Sequence, residues 1–208
     1  MKYEALLFDL DGTLWNATDN IIDAWVQALS GFDELKGFTL TPEALHGVLG
    51  KPMDEIADIL FPSLDDEVKT RVLKRCCEVE NEYLNEHGGM LYPKLTETLD
   101  KLSKKMKLFI VSNGQAGYIQ TFLNSHNMWK YFTDIQNWGD NKVPKGENIK
   151  LVMERNNIKK AAYVGDTQGD ADAAKLAGID FIFAGYGFGD VKEYDYVIDE
   201  ISEVLDLI

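Results

Sequence analysis

The stretch Leu6–Leu14, reading LLFDLDGTL, constrains this chain more than any other. An apolar run from Ala5 to Phe8 stops at Asp9, and Asp11, Gly12 and Thr13 follow. A short apolar run closed by a turn signal reads as a buried strand. Its carboxyl end then carries two acids. In open α/β sheets ligands bind beyond that end of the strands, so chemistry is expected there. Extended backbone sends Asp9 and Asp11 to one side, and the Gly12 turn changes that geometry. Asp-Gly is also a hairpin signal, but the residues after Thr13 do not alternate as a partner strand. Trp15, Asn16 and Ala17 instead lead into a helical pattern.

Ile22, Trp25, Val26 and Leu29 fall on one helix face. Thr41-Pro42-Glu43 opens a second helix, with Thr41 as N-cap and Pro42 at the first helical position. Gly50-Lys51-Pro52 interrupts, a short helix runs from Asp54 to about Leu60, and a long one runs from about Asp65 to Glu86. From Tyr92 the pattern changes. A helix through Leu95, Leu99 and Leu102 precedes a strand Lys107–Val111 that stops at Ser112-Asn113-Gly114. A helix around Ile119 and Phe122, a strand Ile135–Trp138 and a polar loop Asp140–Pro144 follow. A helix from Lys145 then leads to a strand Ala161–Val164 that stops at GDTQGD, residues 165–170. A small-residue helix, a strand Ile179–Ala184 ending at GYGFG, a strand Tyr196–Ile198 and a helix Ile201–Leu207 close the chain. Alternating strands and helices predict a parallel sheet. The expected organisation is an α/β core from 1–16 and 89–208, with a helical cap, 17–88, inserted after the acidic strand. That insertion point is where a lid belongs.

The formal charge of −14 over 208 residues disfavours nucleic acid and anionic membranes as partners. An anionic substrate then needs local cations. Cys76 and Cys77 are adjacent in a helical pattern and predict reduced thiols. No signal-peptide pattern opens the chain and no apolar run is long enough for a bilayer, so a cytoplasmic setting is expected. His46, His87 and His126 lack zinc-ligand spacing. GYGFG does not follow the opening strand and reads as a plain loop.

Four strand ends carry polar chemistry: Asp9/Asp11, Ser112/Asn113, the approach to Lys145, and Asp166/Asp170. In a parallel sheet these ends share one edge. Carboxylates held close together repel, and a divalent cation removes the conflict; hard oxygen ligands suit Mg²⁺. Asp9 can act as a nucleophile forming an aspartyl-phosphate. Asp11 can protonate the leaving oxygen and then deprotonate water. Ser112 and Asn113 can donate to phosphoryl oxygens, and helix N-termini after Gly12 and Gly114 can do the same. Lys145 supplies positive charge, with Lys142 a rival three residues earlier. Lys51 is a further candidate for contacting an anionic substrate. Thr167-Gln168-Gly169-Asp170 also fits a helix capping box.

This set resembles the haloacid dehalogenase superfamily through DLDGT at Asp9–Thr13, Ser112-Asn113, Lys145 and Gly165–Asp170. The resemblance spans the chain. It implies a Rossmann-like core and Mg²⁺ held by Asp9, the main-chain carbonyl of Asp11, and Asp166, with Asp170 as a further carboxylate. It implies Asp9 as nucleophile and Asp11 as acid/base. The dehalogenase branch lacks the second aspartate, so the chain looks like a phosphoryl-transfer member, and GDTQGDADAAKLAG is similar to the phosphoglycolate-phosphatase-like branch. Trp15 and Asn16 stand where that branch often has an aspartate-containing pair. The expected activity is hydrolysis of a small phosphorylated metabolite. A sugar-phosphate mutase of the same fold uses the same aspartates, and a signalling receiver domain uses similar parts as a switch. Both stay open at this point.

Overall fold

The structure, a computed structural model, describes residues 2–208. Strand β1 (Ala5–Phe8) is buried along its whole length. The chain next forms β2 (Trp15–Asn16) and then a helical insertion: α1 (Thr18–Leu29), α2 (Pro42–His46), α3 (Met53–Leu60) and α4 (Asp66–His87). Strand β3 (Met90–Leu91) brings it back. Then come α5 (Leu95–Ser103), β4 (Lys107–Ser112), α6 (Tyr118–Ser125), β5 (Asp134–Asn137), α7 (Trp138–Asn141) and α8 (Lys145–Arg155). Strand β6 (Ala161–Gly165), α9 (Gln168–Ala177), β7 (Asp180–Ala184) and β8 (Tyr196–Ile198) complete the sheet, and a 3₁₀ helix, Ile201–Asp206, ends the chain.

The six-stranded sheet has the order β5-β4-β1-β6-β7-β8. Every neighbouring pair is parallel. Counting these six alone, the chain lays them down as third, second, first, fourth, fifth and sixth. The direction of winding reverses between β1 and β6, which in doubly wound sheets opens a crevice at the strand ends. Side chains alternate across the sheet as the pleat requires. Leu6, Phe8, Leu108, Ile110 and Val164 face a core shared with α5 and α6. Leu7, Phe109, Val111 and Tyr163 face a second core with Ile149 and Val152 of α8 and Ala174 of α9. Fully burying each large apolar side chain contributes roughly 1.5–3 kcal/mol, so both faces are fixed in register.

In the insertion, Thr41 Oγ1 accepts from Ala44 N at 3.2 Å and Asp65 Oδ1 from Val68 N at 2.9 Å. These side chains satisfy donors that helix starts leave free. Helix α4 buries Val72, Cys76 and Val79. Cys76 is buried and Cys77 half-buried; both are free, and burial pushes the Cys77 thiol up to about 12. Among the described residues no helix is long and apolar enough to cross a membrane.

Three local expectations are corrected. Trp15–Asn16 is not a helix approach; it pairs antiparallel with Met90–Leu91 where the chain leaves and re-enters the core. Two residues are too few to show a period of two. Trp138–Asn141 is one helical turn with a capping box from Asn137 and Asp140, so helix replaces the end of a strand and the start of a loop. No helix starts directly after Gly12, and after Gly114 the chain makes a turn before α6 begins at Tyr118. Helix N-termini therefore do not serve those two positions.

Candidate active site

Asp9 follows β1, and its backbone N–H still bonds Val164 O of β6 at 2.8 Å. That bond places Asp9 at the point where the winding reverses. Lys145, in the first turn of α8 behind Pro144, reaches Asp9 Oδ1 at 2.8 Å and Asp170 Oδ1 at 2.7 Å. Asp166 follows β6 and accepts from Phe188 N at 2.8 Å. One carboxylate oxygen from each of Asp9, Asp166 and Asp170 lies within 4.8 Å of the others, and all three residues are buried.

Asp170 also caps α9. Its Oδ2 accepts from Thr167 N at 3.0 Å, Thr167 Oγ1 at 2.7 Å and Asp166 N at 3.2 Å. The capping box and the lysine contact thus coexist, one on each oxygen. Asp170 is occupied on both sides, whereas among the described residues only Lys145 donates to the Asp9 carboxylate.

Three buried carboxylates share one buried ammonium. Burial, then repulsion from Asp170 and Asp11, pushes Asp9 up to about 7, against the pull of Lys145. Burial, then Asp9 and Asp170, pushes Asp166 up to about 8. Burial alone would lower Lys145, but Asp170 and Asp9 outweigh it and hold its pKa above the ordinary value. The cluster is short of positive charge, and its donors are hard oxygens. That donor set fits a divalent cation of the Mg²⁺ kind, with Asp9 and Asp166 the carboxylates best placed to bind it.

The Asp11 carboxylate is turned toward Trp15 and Tyr118, which flank the insertion from the core side. Its Oδ1 accepts from Trp15 Nε1 at 2.9 Å and from Tyr118 Oη at 2.7 Å. Burial pushes Asp11 up to about 7, although these two donors pull it down. Asp9, Asp11, Ser112 and Asn113 border one cavity of about 40 Å³, which Trp25 and Leu45 of the insertion also line. Ser112 Oγ accepts from Gly114 N at 3.1 Å, which leaves its own O–H free to donate. Asn113 Nδ2 donates to Gly50 O of the insertion at 2.8 Å, so this side chain joins the two parts of the molecule. Lys142 stands apart, its Nζ 3.7 Å from the centre of the Trp138 ring; Lys145 is the lysine that meets the acids. Lys51 borders the cavity and pairs with Glu55 at 3.7 Å.

Sequence reasoning missed Tyr118, and it noted Trp15 only as a departure. A lone tyrosine after a turn gives no signal, because its partner is 107 residues away. It also set GYGFG aside. In the structure that loop walls the site: Phe188 N bonds Asp166, and Tyr186 Oη donates to Thr13 O at 2.9 Å. A Cβ on Gly187 would lie 2.3 Å from Asp166 Cβ. Gly12 combines φ +79 with a would-be Cβ 2.1 Å from Asp166 Oδ2. Gly12→Ala is expected to cost about 1–2 kcal/mol in backbone strain alone and to displace Asp166. A melting temperature indistinguishable from the parent would contradict this.

The reversal crevice, the acid cluster and the inserted helices together define a class. Residues 6–184 match the haloacid dehalogenase-like hydrolase family, and the chain belongs to that family. Among its relatives are phosphoglycolate phosphatases. That of Escherichia coli O157:H7 is 27% identical over 95% of this chain and 89% of its own length. That of Vibrio parahaemolyticus serotype O3:K6 is 26% identical over 98% and 95%. A haloacid dehalogenase-like protein from Bacteroides fragilis superimposes with TM-score 0.85 at 25% identity, covering 98% of this chain and 100% of that one. A haloacid dehalogenase-like family hydrolase from Streptococcus pneumoniae gives TM-score 0.84 at 21% identity, covering 99% and 98%, which speaks for the fold.

Proposed function

We propose that the chain is a Mg²⁺-dependent phosphatase of small phosphorylated metabolites that works through an aspartyl-phosphate on Asp9. The observation that carries this reading is the Asp9 carboxylate, seated at the sheet's reversal point, 2.8 Å from a buried lysine and beside two further acids. Core residues 1–16 and 89–208 supply the chemistry, and the insertion, 17–88, covers it. Mg²⁺, when bound, would be held by Asp9 and Asp166, with the Asp11 carbonyl as the resemblance implies, and would offset the negative charge of the carboxylates and of the phosphoryl group. Asp170 acts by positioning Lys145.

In the first step an Asp9 oxygen attacks phosphorus and the ester P–O bond breaks. Asp11, as the carboxylic acid, gives its proton to the leaving alkoxide. In the second step water attacks the same phosphorus, Asp11 takes a proton from it, and inorganic phosphate leaves with Asp9 restored. A group pushed up to about 7 is well matched to both halves of this exchange near neutral pH. The Ser112 hydroxyl and Lys145 steady the phosphoryl oxygens. Trp25, Leu45 and Glu80 of the insertion line the cavity that Asp9 and Asp11 border, so the insertion meets the leaving group of a substrate seated there.

The test is a panel of phosphorylated metabolites assayed for released phosphate with Mg²⁺ and with chelator. Steady multiple-turnover release, lost with chelator, is expected. Isomerisation of a sugar phosphate without phosphate release would favour a mutase, and a single stable phosphorylation would favour a signalling switch. Tyr118→Phe removes one donor from Asp11 and should raise its pKa. Whichever limb of the rate profile Asp11 governs, the alkaline one where it acts as acid or the acidic one where it acts as base, should move to higher pH, with kcat down roughly tenfold, the scale of one charge-assisted hydrogen bond. An unmoved profile would separate Tyr118 from acid/base function.

A further inference from the structure

Glu80, on α4, is 4% exposed and borders the cavity that also holds Asp9 and Asp11. Nothing in the proposed chemistry uses it. Gln115 Nε2 donates to its Oε1 at 2.9 Å, and the Trp25 indole N–H donates to its Oε2. The polarity of these bonds is forced. An indole nitrogen only donates. Gln115 Nε2 also faces Asn81 Oδ1 at 3.2 Å, and Asn81 Nδ2 is committed to the Ala116 carbonyl at 3.0 Å, which only accepts. Read from that carbonyl, the Asn81 and Gln115 amides can point one way only, and Gln115 must donate to Glu80. Both Glu80 oxygens are therefore acceptors. Among the described residues no lysine, arginine or histidine pairs with Glu80. Among the described residues the one cation bordering the cavity, Lys51, is exposed and is drawn to Glu55.

A buried acceptor without a counter-charge fits a ligand that brings a donor, and it repels a ligand that brings a second anion. We propose that Glu80 selects the leaving group: the cavity takes phosphomonoesters of alcohols that carry a further hydroxyl or amine and no negative charge, and it discriminates against carboxylated leaving groups such as glycolate. This rests on the phosphatase reading and departs from the substrate for which the relatives are named.

The experiment compares kcat/KM, at pH 8 where Glu80 is largely ionised, for glycerol 3-phosphate, phosphoethanolamine, 2-phosphoglycolate and 3-phosphoglycerate, with p-nitrophenyl phosphate as a reporter of the phosphoryl chemistry itself. For the parent protein, the two uncarboxylated substrates should exceed the two carboxylated ones by about tenfold or more. Glu80→Gln removes the charge and should shrink that ratio several-fold, chiefly by improving the carboxylated substrates. A parent protein that prefers 2-phosphoglycolate overturns the proposal and leaves the phosphatase reading intact. So does a folded Glu80→Gln protein with an unchanged ratio, folding being checked by melting. Should Glu80→Gln fail to fold, the parent ranking alone decides. No phosphate release from any substrate, the reporter included, would remove the phosphatase reading and this proposal with it.

Discussion

Asp9→Asn is expected to lower kcat/KM by about four orders of magnitude or more, the scale on which enzymes lose a covalent nucleophile, while the protein stays folded. An amide oxygen is a poor nucleophile, yet it occupies the same space as a carboxylate oxygen and still accepts from Lys145. Asp9 is buried, and its charge is already disfavoured by burial and by Asp170. Removing that charge should leave the melting temperature unchanged or raise it. The two readouts together separate chemistry from folding. Hydrolysis within tenfold of the parent would exclude covalent catalysis by Asp9.

The second large effect is the response of stability to pH and Mg²⁺. Asp9 and Asp11 are pushed up to about 7, Asp166 to about 8, and Glu80 to about 7. In the unfolded chain such carboxyls titrate near pH 4. Between about pH 5 and 8 the folded protein therefore holds more protons than the unfolded one, and stability falls as pH rises through this window. The carboxyls held low, such as Asp134 beside Arg155 and Asp180 beside Tyr3 and Lys2, act in the opposite sense. Their stabilisation is present above the unfolded value and is lost only as pH drops below about 4. Lys145 is held above its ordinary value and does not titrate in this range. With chelator, the melting temperature should peak near pH 5 and decline toward pH 8. Saturating Mg²⁺ binds the ionised cluster and should add about 3 kcal/mol at one hundred times its Kd. For a chain of this size that is roughly 5–10 °C, and the gain should be largest at pH 8. Identical melting curves with and without Mg²⁺ at pH 8 would show that the cluster holds no cation.

Much of the architecture was legible from residue order. Apolar runs of four or five residues that end at Asp9, Ser112 and Gly165-Asp166 reveal strands, because a strand buried on both faces tolerates no polar residue until it leaves the sheet. The amphipathic pattern through Val72, Cys76 and Val79 reveals α4 for a similar reason. The ribbon of Trp15–Asn16 with Met90–Leu91 was not legible, since no two-residue strand has a readable period. The turn at Trp138–Asn141 was hidden by an aromatic residue that suits a strand equally well. Lys142 and Lys145 were indistinguishable by spacing; only the packing of α8 against α9 shows which one meets the acids.

By itself the order of residues determined which side chains close each strand, and hence that acids, a hydroxyl and an ammonium share one sheet edge. It did so because burial on both sides of a parallel sheet leaves its strand ends as the sites for polar groups. Only the tertiary structure decided how those groups are aimed. Asp11 turns toward Trp15 and Tyr118, Asp170 divides its oxygens between a helix start and Lys145, GYGFG closes on Asp166, and Glu80 enters the cavity from the insertion. Each of these depends on a hydrogen bond or a close approach set by packing in three dimensions, and neither local propensity nor periodicity encodes such a contact.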